Sequence, residues 1–322
     1  MNFTYRQSKP EELPLIIDFI NYVFSHNEYP HDFKTMVPKV YGDNLRENAI
    51  HFIAFNETGQ IVGAVGLLPI NFHINDVILK CGFIGSVSVH PYYRSQGHMK
   101  KLMSMADDYL KSNCFDLGIL DGLRQRYEYY GYKRSGIHLA FEVNSDNIRH
   151  GLKNISIKDF HLIEITHNND SFLDNIFDLS SCSPVFVERN RETLLYTMKN
   201  FESRLYAVTY KDKFIGYFTA STNNCISEMN MVKKEYFLNA IKLWMYFCSA
   251  SCITVTAQPY QTDFIAALDS FSENRSIQYG ANFKIFHQEK VSHAIEEYNN
   301  CLPDGIADFF PIPFSINMAD TF

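Results

Sequence analysis

The sequence predicts an α/β (α+β) fold, and three observations carry that reading. Strand-like and helix-like segments alternate through the first half of the chain. The stretch from Ile84 to Met103, IGSVSVHPYYRSQGHMKKLM, runs from a buried strand through a proline stop and a basic, glycine-bearing turn into an amphipathic helix. The composition, 46% hydrophobic and 15% aromatic, suits packed globular domains rather than disorder. A chain of 322 residues has room for about two domains of ~150 residues each.

The elements follow in order. Residues 3–7 read as a short strand. Pro10-Glu11-Glu12 opens a helix, its acidic groups near the positive end of the dipole, and Ile16, Phe19, Ile20 and Val23 recur at helical spacing. Residues 25–33 form a loop and 34–41 a second helix. His51 to Phe55 and Ile61 to Leu68 are strands around the turn Glu57-Thr58-Gly59-Gln60. Residues 70–75 and 77–89 continue the sheet about Asn75-Asp76. The next helix places Met99, Leu102, Met103, Ala106 and Leu110 on one side, an apolar stripe that packs on a sheet. Phe115 to Leu120 is another buried strand. Arg124 to Tyr130 is a short helix ended by Gly131, a left-handed cap, and 132–143 close the domain with strands.

Asn144 to Asp159 is polar and reads as a linker or crossing loop. Residues 161–287 then repeat the rhythm: a strand at 162–166, helices at 171–180 and 188–199, strands at 204–210, 214–221 and 225–232, a helix at 234–249 and a strand at 253–257. The expected domains are 1–145, 155–287 and a C-terminal segment, 288–322. That segment holds a helix at 289–298, a turn at Pro303-Asp304-Gly305 and an apolar, proline-punctuated run at 309–316. A tail so apolar is expected to dock rather than stand in water.

The formal net charge of −7 argues against general nucleic-acid binding, which needs a basic footprint, and is compatible with a cationic substrate such as an amine. No apolar run is long enough to cross a bilayer, and the N-terminus lacks the basic-then-apolar pattern of a signal peptide, so a cytoplasmic protein is expected. Seven cysteines without metal-site or redox spacing read as buried, reduced thiols. The twelve histidines make no convincing H-x-x-x-H pair, and no metal is expected.

The turn Arg94-Ser95-Gln96-Gly97-His98-Met99 carries the chemistry. A helix N-terminus with free backbone N–H groups is a ready anion site, Gly97 lets backbone approach a ligand closely, and Arg94 adds positive charge. Such a loop suits a pyrophosphate. It has neither the P-loop nor the dinucleotide glycine pattern. Instead, Val87-x-Val89-x-Pro91-x-x-Arg94-x-x-Gly97 resembles the acetyl-CoA signature of the GNAT acetyltransferases, with Met99 where the family usually has glycine or alanine. The resemblance covers roughly residues 1–145 and implies a mixed central sheet flanked by helices. It makes 161–287 look like a second, degenerate GNAT-like half. The sequence before the 234–249 helix, EMNMVKKEYF, has no glycine, so no CoA site is expected there.

The resemblance also implies roles. The strand holding Val87, Ser88 and Val89 would splay from its neighbour so that pantetheine pairs with its backbone, and an N–H there would polarise the thioester carbonyl. Val87 and Val89 are equally ordinary strand core. Tyr127-Glu128-Tyr129-Tyr130-Gly131-Tyr132 matches the family's Y-x-x-x-G-[F/Y] element, which makes Tyr127 the acid for the departing thiolate. Tyr129, Tyr130 and Tyr132 read as packing residues. Glu28, Asp32, Asp121 and the region around Phe83 are candidates for the acceptor side, although each acid also fits a plain solvated surface.

Two GNAT-like halves with a terminal phenylalanine further resemble the Eis-type (enhanced intracellular survival) acetyltransferases, without their sterol-carrier-like third domain. There the terminal carboxylate serves as a base, which here would be that of Phe322. The function so implied is acetyl transfer from acetyl-CoA to a small-molecule primary amine. The alternatives are a different acyl donor or a non-catalytic acyl-CoA-binding regulatory module. Self-association is left open.

Overall fold

The computed structural model describes residues 2–27, 29–43, 46–168, 170–302 and 315–322. It divides into two compact units. One comprises Met1–Arg134, Ala281–Ala294 and Thr321–Phe322, and the other comprises Ser135–Gly280 and Ile295–Asp320.

The first unit opens with β1 (Thr4–Gln7), α1 (Leu13–Asn27), α2 (Phe33–Met36), α3 (Pro38–Tyr41), β2 (Ile50–Phe55), β3 (Ile61–Ile74) and β4 (Val77–Val89). Then come α4 (His98–Ser112), β5 (Leu117–Leu120) and α5 (Arg124–Tyr127). Its strands lie in the order β1-β2-β3-β4-β5. The pairs are antiparallel up to β4, and β4 and β5 run parallel. Residues 282–285, from far along the chain, pair antiparallel with β5. Two strands were expected over 61–75. One continuous strand forms instead, because Pro69 sits in register opposite Gly82 and the pairing with β4 runs on past it.

Each face of this sheet is covered. On one, α4 buries Leu102, Met103, Ala106 and Leu110 against Phe52, Val65, Leu67 and Ile84. Leu102 and Leu110 reach the sheet because Gly63 and Gly82 have no side chain in their way. Burying such a leucine stabilises by about 1.5–3 kcal/mol. The helix α1 buries Ile16, Phe19, Ile20 and Val23, the stripe its spacing predicted. The late segment is tied in by charge as well as by backbone. Lys284 Nζ donates to Asp107 Oδ2 at 2.6 Å and to the Tyr130 carbonyl at 2.9 Å. Asp116 accepts from Lys80 N and from Lys290 Nζ, both at 2.7 Å.

The second unit contains β6 (Lys133–Asn144, from its third residue), α6 (Ser145–Gly151), β7 (Phe160–Glu164), α7 (Leu173–Ser180), β8 (Val185–Val187), α8 (Leu194–Met198), β9 (Arg204–Tyr210), β10 (Lys213–Ala220) and β11 (Ile226–Met231). It continues with α9 (Tyr236–Cys248), β12 (Cys252–Ala257), α10 (Thr262–Asp269) and β13 (Asn274–Ile285), whose last residues belong to the first unit. The helix α11 (Gln288–Asn299) starts in the first unit and ends in the second. The sheet order is β6-β12-β11-β10-β9-β7, with β11 and β12 parallel and the other pairs antiparallel. The run β9-β10-β11-α9-β12 therefore repeats β2-β3-β4-α4-β5, an antiparallel meander followed by a helix and a parallel strand.

Three sequence expectations need correction. The supposed linker contains α6, which starts there because the side chains of Asn144 and Asn147 each accept from the other's backbone N–H. The helix expected over 188–199 shrinks to 194–198, since the Asn190 side chain takes the N–H of Glu192 and closes a turn first. Of the seven cysteines, all free, only Cys81 is buried, while Cys114, Cys182 and Cys252 are exposed. The turn at 303–305, and the apolar tail except Ser315 and Ile316, lie outside the described residues.

Candidate active site

In β4 the register shifts by one residue against β3: Ala64 faces Ser88, but Gly66 faces Gly85. Three steps on β4 thus oppose two on β3, which is a β-bulge, and Ser86 takes a positive φ of 52° inside it. On its other side β4 pairs with β5 only from Cys81 to Ile84. From Gly85 to Val89 the described residues leave that edge unpaired, because β5 ends at Leu120 while β4 runs on. The splay places the backbone groups of Val87, Ser88 and Val89 along an open strand edge.

The chain next makes a short turn over Pro91–Tyr93, where His90 Nδ1 accepts from Tyr92 N at 3.3 Å. Ser95 (φ 61°) and Gly97 (φ 83°) are both left-handed, and Gly97 is the N-cap of α4. Glycine is needed there for its φ. Among the described residues beyond its own chain neighbours, no atom lies within 4 Å of where its Cβ would be, and it offers no capping side chain to the first-turn N–H groups. Those groups and the dipole behind them favour an anion.

His98, first in the helix, is buried. Its Nδ1 lies 2.9 Å from Tyr5 Oη, while its Nε2 has no partner among the described residues. Burial lowers its pKa. Its ring meets Phe3 edge-on at 4.4 Å, so His98 pins the helix start to β1 and its neighbours. Met99 lines the cavity and also packs on the core beneath α4.

These parts surround a cavity of about 710 Å³ lined by Val87, Ser88, Val89, Arg94, Ser95, Gly97, His98 and Met99. Of the proposed loop, only Gln96 is absent from the lining. Six further lining residues were not among the sequence candidates: Val23 and Phe24 from α1, Tyr93, Lys100, Arg126 and Tyr130. Arg94, Lys100 and Arg126 bring three cations to it. Only the basic residues flanking Tyr127 hinted at the last.

Tyr127 is buried in the core beneath α4, and Tyr130 lines the cavity in its place. Burial raises the Tyr127 pKa, with the Arg126 guanidinium working the other way. Its ring lies over Gly122, 2.6 Å from where a Cβ would stand. Phe322 is buried on the opposite side of the bulge. Its ring stacks on Tyr41 with centroids 5.9 Å apart, and its carbonyl oxygen is 2.6 Å from the Cβ position of Gly85.

The acceptor-side candidates are dispersed. Asp32 caps α2, accepting from Lys34 N at 3.1 Å and Thr35 Oγ1 at 2.7 Å. Asp121 is exposed and accepts from Gly122 N at 2.7 Å. Phe83 is fully buried in β4. Glu28 lies outside the described residues. Among the described residues no group of three or more His, Cys, Asp or Glu is arranged to hold a metal, and no helix is long and apolar enough to cross a membrane.

A splayed β4–β5 pair, a left-handed basic turn and a helix start follow one another in the layout of a GNAT domain. Residues 4–137 match the family model described as an acetyltransferase (GNAT) domain, and the chain carries that domain. Similar solved structures include a conserved protein of Enterococcus faecalis V583 named a "Probable N-Acyltransferase", with TM-score 0.69 and 14% identity over 90% of this chain and 74% of that one. Eis1 from Mycobacterium abscessus follows with TM-score 0.61 and 12% identity over 91% and 76%. A tandem GNAT protein from the clavulanic acid biosynthesis pathway gives TM-score 0.52 and 13% identity over 88% and 99%. At these identities the likeness concerns the fold, which extends the GNAT architecture over both units. No curated protein matches the chain.

Proposed function

We propose that this protein is an N-acetyltransferase that moves the acetyl group of acetyl-CoA to a primary amine of a small molecule. The carrying observation is the cavity that joins the open edge of Val87–Val89 to the left-handed turn and the start of α4. Pyrophosphate would meet the N–H groups of residues 95–99 and the three cations. Pantetheine would lie along the open edge, where a backbone N–H polarises the carbonyl.

The neutral amine attacks the thioester carbon, and a tetrahedral intermediate forms. The C–S bond then breaks, leaving an amide and the CoA thiolate. The amine gives its proton to the terminal carboxylate of Phe322, directly or through water, and the thiolate takes one from Tyr127, which lies behind the lining residues Arg126 and Tyr130 and must be reached past them. A raised pKa keeps Tyr127 protonated near neutrality, as an acid must be. In this reading 1–145 is the catalytic domain and one CoA site serves each chain, since the turn before α9 has no glycine.

Thiol release from acetyl-CoA with a panel of amines tests the reading. Turnover with at least one amine is expected. Binding of acetyl-CoA without turnover on any amine would make the chain an acyl-CoA-binding regulatory module instead. Amidating the terminus should slow transfer strongly, and unchanged rates would remove the carboxylate from the mechanism.

A further inference from the structure

His51, Gly66 and Gly85 form one row across β2, β3 and β4, each directly opposite the next. Residues in one such row project to the same face. At the two glycines that face is bare, and the ring of Phe322 fills the hollow. A Cβ on Gly66 would stand 2.5 Å from Phe322 Cε1, and one on Gly85 would stand 2.4 Å from Cδ1. Neither glycine has a positive φ, so room for this ring is what the structure asks of them. Tyr41 stacks on the ring at 5.9 Å, and His51 meets it edge-on at 6.4 Å. The hollow ends at Ser86, where the bulge begins, and so adjoins the edge of Val87–Val89.

We propose that the side chain of Phe322 is the floor of the acyl pocket and restricts the transferred group to about the size of acetyl. The inference rests on the reading that the thioester lies along Val87–Val89. A carbonyl oxygen bound to backbone N–H there leaves its alkyl substituent to turn toward one face of the sheet. The α4 face is closed by Leu102, Met103 and Leu110, all fully buried. The opposite face, one residue before the bulge, is closed by a ring on the chain's last residue. Removing that ring leaves the strands intact and opens a bare glycine hollow that can hold a longer aliphatic chain. The bonds made and broken stay the same: nitrogen joins the acyl carbon, the C–S bond breaks, the amine loses its proton and the thiolate gains one.

The test uses Phe322→Leu and Phe322→Ala, which keep the terminal carboxylate, with folding checked by circular dichroism. Acetyl-, butyryl- and hexanoyl-CoA are compared by calorimetric binding and by thiol release with one amine. One methylene in an apolar pocket changes selectivity by about 10–200-fold. The hexanoyl-to-acetyl ratio is therefore expected to rise at least about tenfold in Phe322→Ala, with Phe322→Leu between it and wild type. An unchanged ratio in the folded variants overturns the proposal, as does a wild type that already prefers hexanoyl-CoA. The binding ratios judge the pocket even if no amine is acylated, an outcome that would remove the transfer reading alone. Amidated wild type keeps the ring and loses the carboxylate, which separates the base from the floor.

Discussion

Tyr41 Oη lies 2.8 Å from Ser86 Oγ and 3.0 Å from His51 Nε2, so one hydroxyl ties the bulge of β4 to the start of β2. All three side chains are buried, and the ring carrying that hydroxyl also supports Phe322. Tyr41→Phe keeps the ring and deletes the hydroxyl, leaving two buried polar groups short of a partner. It should cost about 1–3 kcal/mol, read from urea denaturation. Turnover should fall with it, because Ser86 sets the bulge that exposes Val87–Val89.

Burial pushes the pKa of His51 down to about 4. The unfolded chain, with histidine near ~6.5, binds that proton first as the solution is acidified. Stability should therefore be full above about pH 6.5 and fall between there and about 4, by about 3 kcal/mol in total. Denaturation midpoints across that window measure the slope. His51→Phe should flatten it, and a slope unchanged in that variant would assign it to other groups.

Tyr127→Phe should lower turnover by about 100-fold or more, the usual scale for a lost general acid. Acetyl-CoA binding by calorimetry should stay within about twofold, because the ring remains in the core. Wild-type turnover in that variant would transfer the acid role elsewhere, and Tyr130, which lines the cavity, would be the next residue to test.

Gly97→Val places a β-branched residue at φ 83°. A left-handed residue costs about 1–2 kcal/mol, and the turn should distort rather than hold the geometry. Acetyl-CoA affinity should fall by about tenfold or more, with little change in thermal stability. Arg94→Ala should also weaken binding, and its effect should shrink as salt is added.

In the second unit Arg189 makes paired bonds to two buried carboxylates, to Glu228 at 2.9 and 2.7 Å and to Asp320 at 2.9 and 2.8 Å. Burial disfavours the charged form of Glu228, yet the guanidinium prevails and its pKa is lowered. Arg189→Met would strand both carboxylates and should cost about 3–5 kcal/mol, read as a lower urea midpoint. Adding Glu228→Gln and Asp320→Asn should recover part of the loss, since no unpaired charge then remains buried.

Much of the site was legible because it is local. Arg94, Gly97 and the stripe from Met99 to Leu110 are consecutive along the chain, and their spacing alone dictates a basic turn feeding an amphipathic helix. The rest was hidden because it depends on register. Gly66 and Gly85 lie nineteen positions apart, and only the pairing of β3 with β4 makes them one hollow. Tyr41 and His51 gave no sign of their roles, since a lone buried tyrosine or histidine looks like any other core residue. Asp32 misled because an N-cap and a substrate-binding acid call for the same residue type.

By itself the amino-acid order determined the alternation of elements, the basic, glycine-bearing turn and the tyrosine-glycine element, since each depends on side chains within a few positions of one another. Only the tertiary structure decided that residues 282–285 complete the first sheet and that β4 bulges at Ser86. It also decided that the last side chain fills the space two glycines leave. These are contacts between segments tens to hundreds of residues apart. Their geometry follows from strand register and packing of the whole unit, which no short stretch of sequence carries.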